Sequence, residues 1–269
     1  MDHSKLTAPL RIVDLSVNLE DVTSMPTSHQ PKITYRDHDA NWDTVEKMAP
    51  GLSRDAFLEG KAWASEQITL STHSGTHMDA PWHYHPTMNS ALKSGREPAA
   101  TIEQVPLEWC VRPGVKLDFR SFPAGYVATA SNVEAELSRV GHTLAPLDIV
   151  LVNTRAAALY GTDEYWQSHC GIGREATLYM LERGVRVVGT DAWSWDVSFK
   201  YMRAQYERTG DASCILEGHK AGAEIGYYQM EKLANLDLLP GSGFSVICLP
   251  VKIKGASAAW TRAVAIFNA

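Results

Sequence analysis

The chain has 269 residues, 45% hydrophobic and 21% charged, with a formal net charge of −6. That length can bury a core without disulfide staples, and an acidic chain lacking a basic stripe has no nucleic-acid-binding face. Its apolar runs fall far short of the ~20 residues of a membrane span, Met1 to Leu10 holds no apolar signal core, and the four cysteines (Cys110, Cys170, Cys214, Cys248) form no Cys-x-x-Cys pair, which excludes a zinc finger or dithiol motif.

These features predict a cytoplasmic protein with reduced thiols, either an enzyme or a metabolite binder. Repeats, low-complexity tracts and Gly/Ser linkers are absent from the sequence, so one domain over residues 8–269 is the simplest organisation. Arg11–Ser16 alternates and reads as a strand. Residues 20–65 form a polar excursion with one helix near Ser53–Glu59. Gln67–Thr72 and Val115–Phe119 read as strands. Ser131 and Glu134 form a capping box for a helix over 132–140, stopped by Gly141. Asp148–Asn153 is a buried strand, Gly173–Arg183 a helix stopped by Gly184, and Val185–Thr190 the next strand. This alternation predicts α/β architecture. Phe244–Ile253 and Ala263–Phe267 are strands without an intervening helix, so part of the sheet should be antiparallel.

The segment Thr72–His85, THSGTHMDAPWHYH, holds four of the ten histidines. His73, His77, Asp79, His83 and His85 are all odd-numbered, and residues two apart share a face on an extended chain. Gly75 and Pro81 oppose a helix and would bend a strand. The segment therefore reads as a strand end that turns, aiming imidazoles and a carboxylate into one cavity. Such donors suit Zn²⁺, Mn²⁺ or Fe²⁺. The plainer alternative is a polar strand end with idle surface histidines. Met78 and Trp82, interleaved as an apolar face, argue against it.

His73-Ser-Gly-Thr-His77-Met-Asp79-Ala-Pro81-Trp-His83 resembles the His-x-Gly-Thr-His-x-Asp-x-Pro-x-His signature of the metal-dependent cyclase family, which includes bacterial kynurenine formamidases and isatin hydrolases. Asp14-Leu-Ser resembles the family's N-terminal strand. Gly189-Thr-Asp191-Ala-Trp-Ser194-Trp-Asp196 resembles its Gly-x-Asp-x-x-Ser-x-Asp stretch. His219, Glu231 and Asn235-Leu-Asp237 resemble its second ligand segment, and Pro250 to Ile266 also fits. The resemblance implies a mixed, partly antiparallel, barrel-like sheet flanked by helices, of the swivelling β/β/α type. It implies one or two Zn²⁺ or Mn²⁺ ions. His73, His77 and Asp79 would be first-metal ligands, Asp79 could bridge to a second metal, His219 would bind that second metal, and Glu231 would be a second bridging carboxylate, which favours the two-metal, formamidase-like arrangement over the single Mn²⁺ of isatin hydrolase-like members. His83 falls at the catalytic histidine, while His85 lies outside the signature. Formamidases carry Trp-Pro-Gly near the N-terminus, where this chain has Thr23-Ser-Met-Pro26-Thr, so the substrate pocket should differ.

By themselves, His219 and Glu231 would pass as structural, and Asp191, Ser194 and Asp196 read as a strand-to-loop turn. Trp193 and Trp195 read as core. Neither Gly-x-Ser-x-Gly nor a phosphate-binding glycine loop appears. The expected activity is hydrolysis of a C–N bond in a small amide, formamide or cyclic imide, or of a lactone, by metal-activated water. His83 would act as general acid–base. A biosynthetic cyclase or dehydratase and a metal-dependent metabolite binder are the alternatives. The expected partner is a small-molecule substrate rather than nucleic acid or membrane, and the resemblance implies a homodimer or homotetramer.

Overall fold

The computed structural model describes residues 10–20 and 29–267. The departing segment Thr23–Thr27 lies outside the described residues. The chain divides into two compact units, residues 1–18 with 72–269, and residues 19–71.

Among the described residues, the larger unit begins with β1 (Arg11–Asp14). The smaller unit holds an antiparallel hairpin of β2 (Lys32–Arg36) and β3 (Ser65–Thr69), with Thr34 opposite Gln67. Between them lies α1 (Trp42–Met48). The buried Asn41 side chain precedes α1 and bonds the Trp63 carbonyl and the Ser65 hydroxyl, both at 2.8 Å. The helix expected near Ser53–Glu59 is instead two 3₁₀ turns, Arg54–Ala56 and Leu58–Gly60. Leu58 and Glu59 have positive φ, which a right-handed helix cannot continue through.

The chain then supplies β4 (His77–Asp79), α2 (Pro81–Tyr84), and a ribbon of β5 (Thr87–Met88) with β6 (Glu97–Pro98). Next come β7 (Val111–Asp118), β8 (Val127–Ala128), α3 (Ala130–Val140) and β9 (Ile149–Asn153). They are followed by β10 (Gly171–Ile172), α4 (Arg174–Leu181), β11 (Val187–Thr190), α5 (Phe199–Thr209) and α6 (Glu217–Glu224). The chain closes with β12 (Tyr228–Glu231), β13 (Phe244–Ile247), β14 (Ala258–Trp260) and β15 (Val264–Phe267).

Nine strands form one curled, mixed sheet in the order β1-β15-β13-β7-β9-β11-β12-β4-β14. The middle four, β7, β9, β11 and β12, are parallel, and antiparallel strands flank them on both sides. Both faces of the parallel part are covered, so its strands read as unbroken apolar runs. Along β9, Ile149 and Leu151 join one core cluster with Met78 and Met230. Val150 and Val152 join the other, with Val133 and Leu137 of α3 and Met180 of α4.

Several expected boundaries shift: the strand expected at Gln67–Thr72 runs over Ser65–Thr69, and that expected at Val115–Phe119 starts at Val111. The cap of α3 is Thr129 with Asn132, two residues before the predicted Ser131–Glu134 box, while Gly141 ends the helix at φ 66 as expected. β13 stops at Ile247, short of the expected Ile253, and Pro250 has no N–H for a ladder. The histidine segment is extended only over His77–Asp79. Pro81, expected to prevent a helix, instead starts α2 at its first position, where a missing N–H costs nothing.

Candidate metal centre

The centre is built on the antiparallel pair β4–β12, where His77 faces Glu231 and Asp79 faces Gln229. Residues two apart share a face, so these four side chains emerge together. Met78 and Met230 point the other way, into the core. Two neighbours complete the ring of imidazoles. His73 comes from the turn before β4. His83 comes from α2, its ring 4.3 Å from that of His73 and 5.5 Å from that of His219 on α6.

Asp79 lies at the middle. Its Oδ1 is 2.9 Å from His73 Nδ1 and 3.3 Å from His77 Nε2. His77 Nε2 is in turn 3.6 Å from Glu231 Oε2. Burial pushes the Asp79 carboxyl up, but His77, His73 and His83 hold it well below the usual carboxylate range. His77 Nδ1–H donates to the Gly75 carbonyl, 2.8 Å away, which leaves Nε2 for the cluster. His77 Nε2 and Asp79 Oδ1 are both buried and have no hydrogen-bond partner of proper geometry. Such orphaned atoms cost about 1–3 kcal/mol each. A cation between them satisfies both, and the nitrogen and oxygen donor set suits Zn²⁺ or Mn²⁺.

Among the described residues, two trios have ligand atoms close enough to share an ion: His73, Asp79 and His83, and His77, Asp79 and Glu231. His219 belongs to neither. Its Nε2 is 4.0 Å from Glu231 Oε1, and its Nδ1 is 2.6 Å from Asp196 Oδ2. Burial lowers the pKa of His219, but the Asp196 hydrogen bond and charge, with Glu231 and Asp79, raise it to about 9. Asp196 also accepts from the Gly218 and His219 backbone N–H groups, at 2.7 and 3.1 Å, so one carboxylate both caps α6 and orients its histidine.

The remaining candidates separate clearly. His85 is exposed, with its Nδ1 turned to Thr87 rather than to the cluster. Asp191 accepts from the Thr154 backbone and hydroxyl and from Ala157 N–H, holding a loop as a turn-forming residue would. Trp195 is fully buried, its indole bonding the Thr177 hydroxyl at 2.9 Å. Trp193 is half-buried and packs under the Lys232 ammonium.

Sequence reasoning missed three neighbours of the cluster. Gln229 sits two residues before Glu231 on one strand, so the period-2 rule could have found it. Tyr84 packs its ring 5.3 Å from that of His219 and stacks on Tyr227. Lys232 is buried beside Glu231 with φ 58, a conformation with no clear signature in the sequence.

Residues 13–197 match the Cyclase family. The chain is 28% identical over 238 residues to the kynurenine formamidase of Maricaulis maris (strain MCS10), covering 83% of this chain and 96% of that protein. A crystal structure of an isatin hydrolase bound to the product analogue thioisatinate has a TM-score of 0.71 at 19% identity, covering 97% of this chain and 93% of that one. Isatin hydrolase A from Labrenzia aggregata, bound to benzyl benzoate, has a TM-score of 0.67 at 25% identity, covering 97% and 94%.

Proposed function

Since this chain belongs to the Cyclase family, we propose that it is a metal-dependent hydrolase that cleaves the C–N bond of a small amide, formamide or cyclic imide. The observation that carries the reading is the buried pair of unsatisfied ligand atoms, His77 Nε2 and Asp79 Oδ1, ringed by His73, His83 and Glu231. The similarity to a kynurenine formamidase and to isatin hydrolases supports the choice of bond.

His73, His77, Asp79 and Glu231 would hold the ion. A divalent ion there supplies Lewis acidity toward a carbonyl and lowers the pKa of water from ~15.7 toward ~7. The protein's own groups do the rest. His83 is exposed at the edge of the cluster while His77 and Asp79 are wholly buried, so it is the imidazole open to an arriving substrate. Loss of water on the side of the ring packed against the cluster, opposed by Asp79 and reinforced by His73 and His219, lowers its pKa below the ordinary histidine value. A neutral His83 accepts a proton as the carbonyl carbon is attacked and returns it to the departing nitrogen. Asp196 and the Gly75 carbonyl fix the rings of His219 and His77 from behind, which keeps the Nε2 atoms aimed at the cluster.

The test is a panel of aryl formamides, isatin and simple lactones with metal-loaded protein in ¹⁸O water. Label in a newly formed carboxylate is the expected result. Turnover to a cyclised product without label would overturn hydrolysis in favour of a cyclase or dehydratase.

A further inference from the structure

Gln229 is wholly buried. Its Nε2 lies 3.3 Å from Asp79 Oδ2, 3.1 Å from His219 Nε2 and 2.8 Å from Glu231 Oε1. Asp79, His219 and Glu231 are the very residues that the family resemblance assigns to a second ion. We propose that the Gln229 amide stands where that second cation would be, so that this chain carries a single divalent ion at its His73, His77 and Asp79 end. The inference rests on the hydrolase reading above.

Distance is the first argument. Three polar atoms surround the amide nitrogen at hydrogen-bond distances of 2.8–3.3 Å, whereas Zn²⁺ draws nitrogen and oxygen ligands to ~2.0–2.2 Å. His219 joins neither candidate trio among the described residues.

Orientation is the second. Carboxylate oxygens only accept, so the amide must turn its NH₂ toward Asp79 and Glu231. Its Oε1 lies 3.0 Å from the Tyr227 hydroxyl on the other side. His219 Nδ1 faces Asp196 as a donor, and its Nε2 is turned toward the amide. The amide thus does with two hydrogens what a cation would do with charge.

The experiment loads metal-free, full-length protein with Mn²⁺ and combines elemental analysis with electron paramagnetic resonance. The wild type should hold about one Mn²⁺ per chain with an isolated-ion spectrum. Gln229→Ala, which empties the place, and Gln229→Glu, which puts a carboxylate of the same shape there, should take up about two, close enough to couple. Two ions in the wild type would overturn the inference and leave the hydrolase reading standing. So would a single ion in both variants, each folded by circular dichroism. A wild type that binds no Mn²⁺ and no Zn²⁺ would instead sink the hydrolase reading itself.

Discussion

His83 reaches the cluster by a different route from the ligands on β4. His77 and Asp79 share a face because they are two apart on a strand, as their spacing predicts. His83 arrives because Pro81 opens a helical turn that folds the chain back, and odd numbering has no meaning there. The same local rule that found His77 and Asp79 applies to Gln229 and Glu231. Gln229 escaped notice because a glutamine is neither a common ligand nor a titrating group. His219 and Glu231 lie far from Asp79 in sequence, and only the register of β12 on β4 brings Glu231 to His77. His83 is also separable from the ligands by experiment. His83→Ala should leave metal content and folding nearly unchanged while turnover falls about 10²–10⁴-fold, the range for losing a general acid–base. His73→Ala should lose metal as well as rate. If His83→Ala strips the metal but preserves the rate per bound ion, His83 is a ligand and the proton carrier lies elsewhere.

Among the elements, the N-terminal Asp14-Leu15-Ser16 shows what an apparently remote motif does. Leu15 is fully buried, its N–H donates to the Ala263 carbonyl at 2.9 Å and its carbonyl accepts from Ala234 at 2.9 Å. Ser16 bridges to Leu233. The motif therefore fastens β1 and β15 to the loop that follows Glu231. Thr76 does the same from the signature loop, accepting from Val17 N–H and donating to the Lys232 carbonyl. Strand β1, the Gly141 stop and the buried run of β9 were legible because each follows from local pattern. Helix α5 was not: only Met202 is buried along it, so its sequence carries no strong apolar stripe. Arg262 adds a bidentate ion pair to Asp14, with contacts of 2.9 and 2.6 Å. Its hydrogen bond, opposed by burial, lowers the Asp14 pKa. A depressed folded pKa gives stability that is present above the unfolded carboxylate range and is lost as pH falls through the folded value. Arg262→Ala should therefore lower the urea midpoint at pH 7 and lower it progressively less toward pH 2. An unchanged midpoint difference across that range would show that Arg262 acts by packing and not by its charge.

For the whole molecule, the mixed sheet was legible as a class but not as an order. Local propensity cannot say that β4 inserts between β12 and β14, because those pairings join residues far apart in the chain. The ion is expected to reinforce these same long-range pairings. All its candidate ligands lie between His73 and Glu231, within the larger unit, and Asp79 belongs to both trios. A ligand bound only to the folded state at 100 times its dissociation constant adds about 2.7 kcal/mol. At about 2–4 °C per kcal/mol for a chain segment of this size, metal loading should raise the melting temperature by about 5–11 °C. Two compact units allow two calorimetric transitions, and the shift must then appear in that of the larger unit. Chelation should reverse it, and Asp79→Asn should abolish the response to added metal. A chelated protein verified free of metal but melting at the same temperature as the loaded one would mean that these side chains do not grip an ion in the folded state.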